Sequence, residues 1–291
     1  MARIAIIGGG SMGEALLAGL LRSGRQVKDM VVAERMPDRA KYLSETYSVQ
    51  IASIVDAAEH ANFVIVAVKP GDVELVIDDI AEAAAKAEAD SAEQVFVSVA
   101  AGVATAFYEG KLPAGAPVVR VMPNAPALVG AGVTALAKGR FVTQEQLKDV
   151  AALFDSVGGV LTVGEAQLDA VTALSGSGPA YFFLMVEALV DAGVAAGLTR
   201  AVATDLTVQT MAGSAAMLLE GLDRNARPDA DGGMGIGIDT TAAQLRATVT
   251  SPGGTTAAGL RELERGGLRA AVADAVAAAK TRSEQLGITT E

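Results

Sequence analysis

The sequence predicts an α/β chain of two domains: a helix-covered parallel sheet over residues 1–163 and an all-helical domain over 164–291. Three observations predict it. Short runs of β-branched residues alternate with helix-like stretches through the first half, the pattern of parallel strands buried on both faces. The first of these runs stops at a cluster of glycines that opens a helix. After "GGVLTV" the strand signal fades, and long stretches of helical periodicity take over from Glu165 onward.

The first strand is "RIAII", residues 3–7, followed by "GGGSMG" and then "EALLAGLL" at helical spacing. Gly8, Gly10 and Gly13 form the pattern G-x-G-x-x-G. The first glycine makes a tight turn, the second lets a pyrophosphate approach the backbone, and the third permits close helix–strand packing. The backbone N–H groups from Gly8 to Gly13, with Gly9, Ser11 and Met12 between, and the dipole of the helix are then placed to receive phosphates. A glycine-rich turn without a ligand is the alternative.

The second strand, "DMVVAE", ends at Glu34, 21 residues beyond Gly13. Glu34 and Arg35 pull in opposite directions: a carboxylate there binds ribose hydroxyls, whereas a guanidinium welcomes a 2′-phosphate. NADH and NADPH therefore both stay open on these two residues. The third strand, "NFVIVAVKP", ends at Lys69 and Pro70, and further strands are expected at "QVFVSVAAG" and "PVVRVMPN". Lys69 sits at a strand's carboxyl end, where ligands gather in open α/β sheets, or it is a solvated strand-end lysine.

Composition narrows the partners. A formal net charge of -11 argues against a nucleic-acid backbone or an anionic membrane surface. With no cysteine, thiol catalysis, disulfides and Cys-based zinc sites are excluded; the single histidine, His60, reads as a surface residue, and no metal site is expected. "MARIAII" is too short for a signal sequence. The apolar helix around "YFFLMVEALVDAGVAAGL" carries Glu187 and Asp191 and is expected to be a buried core helix, not a membrane span. A cytoplasmic protein is the expectation.

The helical half holds no histidine, and no lysine lies between Lys148 and Lys280. An enzyme that oxidises an alcohol with a nicotinamide needs a base for the hydroxyl proton, whereas a protonated C=N bond already has an electrophilic carbon. Into this half falls "VTSPGGTTAAGLRELE". Gly253 and Gly254 allow a backbone that aims several N–H groups at one spot, and Thr255 or Thr256 is expected to cap the helix that follows. The result is an anion site suited to a small carboxylate, or simply a capped turn. A second turn of the same kind is expected at "SGSGPAYFF".

Taken together, "IGGGSMGEALLAGLL", "VAVKPGD", "VSVAAGV", "RVMPNAPALVGAG", "LDAVTALSGSGPAYFF" and above all "VTSPGGTTAAGLRELERGG" resemble pyrroline-5-carboxylate reductases, in the family's order along nearly the whole chain. The resemblance implies reduction of 1-pyrroline-5-carboxylate to L-proline with NADPH or NADH, NADPH being expected, by a Rossmann domain followed by a helical dimerisation domain. It implies a homo-oligomer, a dimer or a decamer built from five dimers, with active sites shared across the dimer. By matching positions, Ile7 to Met12 and Arg35 meet the cofactor phosphates, and Val68, Lys69, Ala100 and Ala101 lie along its ribose and nicotinamide. Ser251, Gly254, Thr255 and Thr256, with Gly253 in the same turn, hold the substrate, and Thr256 is the candidate proton donor. Glu165 falls where some relatives place a substrate-contacting acid.

The chain departs from the family in a polar, glycine-rich insertion over 221–239, expected to be a mobile loop, and in Thr241, Ala242 and Ala247 standing where the family has His-Pro and an acid. Two other readings compete: a β-hydroxyacid dehydrogenase, which would need a base in the helical half, and a non-catalytic dinucleotide sensor.

Overall fold

The structure, a computed structural model, describes residues 2–86, 94–226 and 242–287. Most of the 221–239 insertion, and Thr241, lie outside the described residues. The chain divides into two compact units: Met1–Pro179 with Val276–Glu291, and Ala180–Ala275.

The first unit is built on an eight-stranded sheet ordered β3-β2-β1-β4-β5-β6-β7-β8. Its strands are β1 (Ile4–Ile7), β2 (Met30–Ala33), β3 (Gln50–Ile51), β4 (Phe63–Val66), β5 (Val95–Ser98), β6 (Val118–Met122), β7 (Gly132–Lys138) and β8 (Gly158–Thr162). Strands β1 to β6 are parallel, β7 runs antiparallel to β6, and β8 is parallel to β7. The five strands expected from β-branched runs are present; β3, β7 and β8 extend the sheet beyond them, and the antiparallel step was not foreseen.

Period-two alternation explains why whole strands are apolar. Ile4 and Ile6 point into one core with Leu16, Leu17 and Leu20 of α1 (Ser11–Arg22), while Ala5 and Ile7 point into a second core on the other face. That face is covered by α3 (Ile54–Ala58), α4 (Val73–Lys86) and α5 (Thr105–Lys111), which follow α2 (Pro37–Tyr47). α6 (Gln144–Phe154) returns to the first face through Leu147, Val150, Leu153 and Phe154. All four residues of β1 are at most 1 % exposed, so at about 1.5–3 kcal/mol per large apolar side chain this double layer dominates the unit's stability.

The helical part follows as α7 (Leu168–Val171), α8 (Gly178–Ala195), α9 (Arg200–Ala226), α10 (Ala242–Thr248), α11 (Thr255–Arg265) and α12 (Leu268–Leu286). The turn expected at "SGSGPAYFF" is not a turn. Thr172–Gly176 forms a π-helical segment, closed by the Ser177 N–H donating to the Thr172 carbonyl at 2.8 Å, so the backbone stays helical into α8. A side chain at Gly176 would come within 2.6 Å of Met122 Cε, the flexible end of that side chain, which would have to shift.

The expectation of a buried core helix also needs correcting. On α8, Phe182, Phe183 and Leu184 are 61 %, 64 % and 67 % exposed, and only Val190 among its large apolar residues is buried. The stretch Glu165–Ala195 is long and apolar enough to cross a membrane by length and composition. Exposed apolar side chains in this number need cover, and the described residues of one chain do not supply it.

Candidate functional site

Ile7 pairs with Ala33 on one side and Val66 on the other, so the carboxyl end of β1 is where the sheet's connections diverge. Gly8 follows at φ +102°, and a Cβ there would lie 2.8 Å from the Ala67 carbonyl oxygen. At Gly13 a Cβ would lie 2.1 Å from the Gly8 carbonyl oxygen. A Cβ at Gly10 would have no neighbour within 4 Å, and Gly10 heads α1 with no side-chain cap. The first and third glycines are thus demanded by the chain's own backbone, and the second leaves open space at a helix N-terminus, the arrangement that accommodates a pyrophosphate.

Beside this loop lies a cavity of about 520 Å³, lined by Ile7, Gly8, Gly10, Glu34, Arg35, Val68 and Lys69. Residues 52–54, at the start of α3, and Asp72, Val76 and Asp79 also line it, with Ala33, Met36 and Ala67. Sequence reasoning missed Ser53. Its hydroxyl caps α3 by accepting from the Asp56 N–H at 3.1 Å, and a serine after a short strand was the available signal.

Two hydrogen-bond patterns bear on the roles expected of the loop. The N–H of Gly8 donates to the Ala33 carbonyl and that of Gly9 to Glu34 Oε2, each at 2.8 Å, so neither is directed at a phosphate. Glu34 lines the cavity with both carboxylate oxygens bonded to backbone, its Oε1 accepting from the Met36 N–H at 2.8 Å. Of the loop, Gly8 and Gly10 line the cavity, while Ser11 and Met12 form the first turn of α1 beside it. Arg35 is largely exposed, its guanidinium 3.5 Å from Asp72 at the cavity wall.

Behind the loop, Glu14 of α1 accepts from Arg39, Tyr42 and Tyr47 of α2. Burial opposes the charged carboxylate, but these hydrogen bonds outweigh it and hold Glu14 below the ordinary carboxylate value. Burial and the bond to Glu14 push the Tyr47 hydroxyl up to about 12. Arg39 Nε also donates to the Gly9 carbonyl at 2.7 Å.

The register of β1, β4 and β5 sets Ile7, Val66 and Ser98 side by side, so the loops after all three leave the sheet along one edge. Lys69 and Pro70 lead into a 3-10 turn, Pro70–Asp72. The Ala100 N–H is fixed by the Ser98 hydroxyl at 3.2 Å, and that hydroxyl pairs with Tyr108, whose own hydroxyl burial raises to about 12. Ala100 is buried and Ala101 half-buried; neither they nor Pro70 line the cavity.

Glu165 is engaged inside the first unit. Its carboxylate accepts from the Thr105 N–H and hydroxyl, each at 2.7 Å, and lies 3.5 Å from the buried Arg120. Arg120 also approaches Asp169, which accepts from Ser283 of α12.

In the second unit the segment after α10 turns at Gly253, φ +70°, with the Gly254 N–H donating to the Ser251 carbonyl at 3.0 Å. Gly254 is the N-cap of α11 and no side chain caps it, so neither Thr255 nor Thr256 plays the expected capping role. Both instead occupy the first turn, Thr255 exposed and Thr256 half-buried, beside exposed Ser251. An uncapped helix start with three hydroxyls close in sequence suits a carboxylate.

Two family models match the chain: pyrroline-5-carboxylate reductase dimerisation over residues 165–286, and NADP oxidoreductase, coenzyme F420-dependent, over residues 3–102. A pyrroline-5-carboxylate reductase of Mycobacterium tuberculosis is 72 % identical over 291 residues, covering 100 % of this chain and 99 % of that one. A solved pyrroline-5-carboxylate reductase from Coxiella burnetii superposes with a TM-score of 0.85 at 34 % identity, covering 99 % of each chain. A pyrroline carboxylate reductase of Plasmodium falciparum, solved with NADP bound, gives 0.80 at 28 % identity over 98 % of each chain. With the glycine loop and the Ser251–Thr256 turn both in place along its full length, this chain belongs to the pyrroline-5-carboxylate reductase family.

Proposed function

We propose that the chain reduces 1-pyrroline-5-carboxylate to L-proline, the last step of proline biosynthesis, with NADPH as the reductant. The observation that carries this reading is the uncapped start of α11, with Thr255 and Thr256 in its first turn, in a helical half that holds no histidine and no lysine between Lys148 and Lys280. Such a site binds a carboxylate and a ring nitrogen but offers no strong base for an alcohol, which disfavours a β-hydroxyacid dehydrogenase.

The cavity beside Gly8 and Gly10 fits a dinucleotide, because Gly10 heads α1 at the cavity wall and a side chain there would meet only open space. NADPH bound there supplies the hydride. Gly10, Ser11 and Met12 hold the pyrophosphate, and Arg35 holds the 2′-phosphate. Val68, Lys69, Pro70, Ala100 and Ala101 border the ribose and nicotinamide. Ser251, Gly253, Gly254 and Thr255 bind the substrate carboxylate through N–H groups and hydroxyls. Thr256 orients the ring nitrogen, which gains electron density as the carbon is reduced, and relays a proton to it from water. Glu165 borders the substrate only if it gives up a bond to Thr105.

In the same reading residues 1–163 form the cofactor domain and 164–291 the substrate and dimerisation domain. The apolar α8 is covered by a second copy of the chain, dimers assemble into decamers, and the enzyme works in the cytoplasm. NADPH oxidation by the purified protein with pyrroline-5-carboxylate, set against NADP reduction with a panel of 3-hydroxy acids, tests the reading. Activity confined to the imine supports it; activity on a hydroxy acid alone, or on neither, refutes it.

A further inference from the structure

We infer that Arg39, outside the cavity, is a positioning residue that aims the cofactor-binding N–H of Gly10; the inference rests on the glycine loop being the phosphate site. Gly9 is buried, and both of its polar backbone atoms are engaged from behind the loop. Its N–H donates to Glu34 Oε2 at 2.8 Å and its carbonyl accepts from Arg39 Nε at 2.7 Å. That carbonyl belongs to the same planar unit as the N–H of Gly10. In a trans peptide the two point in opposite directions, so drawing the Gly9 oxygen inward turns the Gly10 N–H outward. The cation on the oxygen also polarises the peptide and strengthens that N–H as a donor.

Arg39 is itself held in place. One guanidinium nitrogen bonds Glu14, whose carboxylate also accepts from Tyr42 at 3.0 Å and Tyr47 at 2.8 Å, while the ring of Tyr42 lies under the guanidinium at 5.0 Å. The planar fork reaches the loop carbonyl and the α1 carboxylate together, which a single ammonium nitrogen does poorly. Because Arg39 does not line the cavity, its influence passes through the loop and is the same for any dinucleotide. Arg35, by contrast, lines the cavity and reads the 2′-phosphate.

The test is binding of NADPH and of NADH to the full-length protein, by nicotinamide fluorescence, for wild type, Arg39→Met, Arg39→Lys and Glu14→Gln, with melting temperatures as a check on folding. Arg39→Met is expected to raise both dissociation constants by about the same factor, roughly three- to tenfold for one lost hydrogen bond. The KM for cofactor rises with them while that for the imine substrate holds. Arg39→Lys recovers part of the loss. Glu14→Gln acts in the same direction, and less so once Arg39 is already replaced. Unchanged affinity in folded Arg39→Met and Glu14→Gln proteins overturns the inference, and so does a loss confined to NADPH. A wild-type protein that binds neither nucleotide overturns the cofactor reading, and this inference with it.

Discussion

Thr105 gives the Glu165 carboxylate two hydrogen bonds at once, from its backbone N–H and from its hydroxyl, each at 2.7 Å. Thr105 begins α5 and Glu165 begins the helical stretch that leads into α8, so the pair joins the sheet's cover to that stretch. The Arg120 side chain, 7 % exposed, completes the cluster. Glu165→Ala should therefore cost about 2–4 kcal/mol by leaving a buried guanidinium and an N–H short of partners. Thermal unfolding should shift down by roughly 5–10 °C. An unshifted melting temperature with a raised KM for the imine would make Glu165 a substrate residue instead.

Arg35 and Asp72 face each other across the cavity lip at 3.5 Å. Arg35 is free to swing, since its side chain is 71 % exposed. Arg35→Ala should raise the KM for NADPH by about tenfold, the loss of one charge-assisted phosphate contact, and leave that for NADH nearly unchanged. Initial-rate measurements with both nucleotides decide it; equal effects would show that Arg35 does not read the 2′-phosphate.

Around α8, Phe182, Phe183 and Leu184 point in successive directions, each more than half exposed in the single chain. An apolar surface of this kind marks an interface. Sedimentation of the wild-type protein should show a dimer or a larger assembly at micromolar concentration, and Phe183→Glu should move the distribution toward the monomer. A wild-type protein that sediments as an active monomer would contradict the assignment.

Much of this was legible in the sequence because the signals were local. The β1–Gly8–α1 unit follows from residue types over fewer than thirty positions, and the structure places Gly8 and Gly13 against backbone as that pattern requires. Other features depended on what lies opposite in space. β3 has only two residues, and the antiparallel pairing of β7 follows from the route after Asn124, which no periodicity encodes. The partners of Glu34, the N–H groups of Gly9 and Met36, can be seen only in the fold. Thr255 or Thr256 read as a cap because threonine commonly caps, yet Gly254 took that position and neither hydroxyl caps α11.

The substrate role proposed for Thr256 defines its prediction. Thr256→Ala should lower turnover by roughly ten- to a thousandfold if its hydrogen bond to the reacting ring is worth about 1.5–4 kcal/mol in the transition state. The melting temperature should barely move, because the hydroxyl caps nothing. Thr256→Ser should keep much of the activity. A full-rate alanine variant would remove the residue from the mechanism.

The central claim is that a hydride passes from NADPH to the imine carbon of 1-pyrroline-5-carboxylate. It is tested most directly with NADPH carrying deuterium at the transferring position of the nicotinamide C4, followed by mass spectrometry and NMR of the product. The account predicts L-proline with one deuterium at C5, formed in step with the NADPH consumed. Consumption of NADPH without labelled proline, or proline labelled at another carbon, would contradict it.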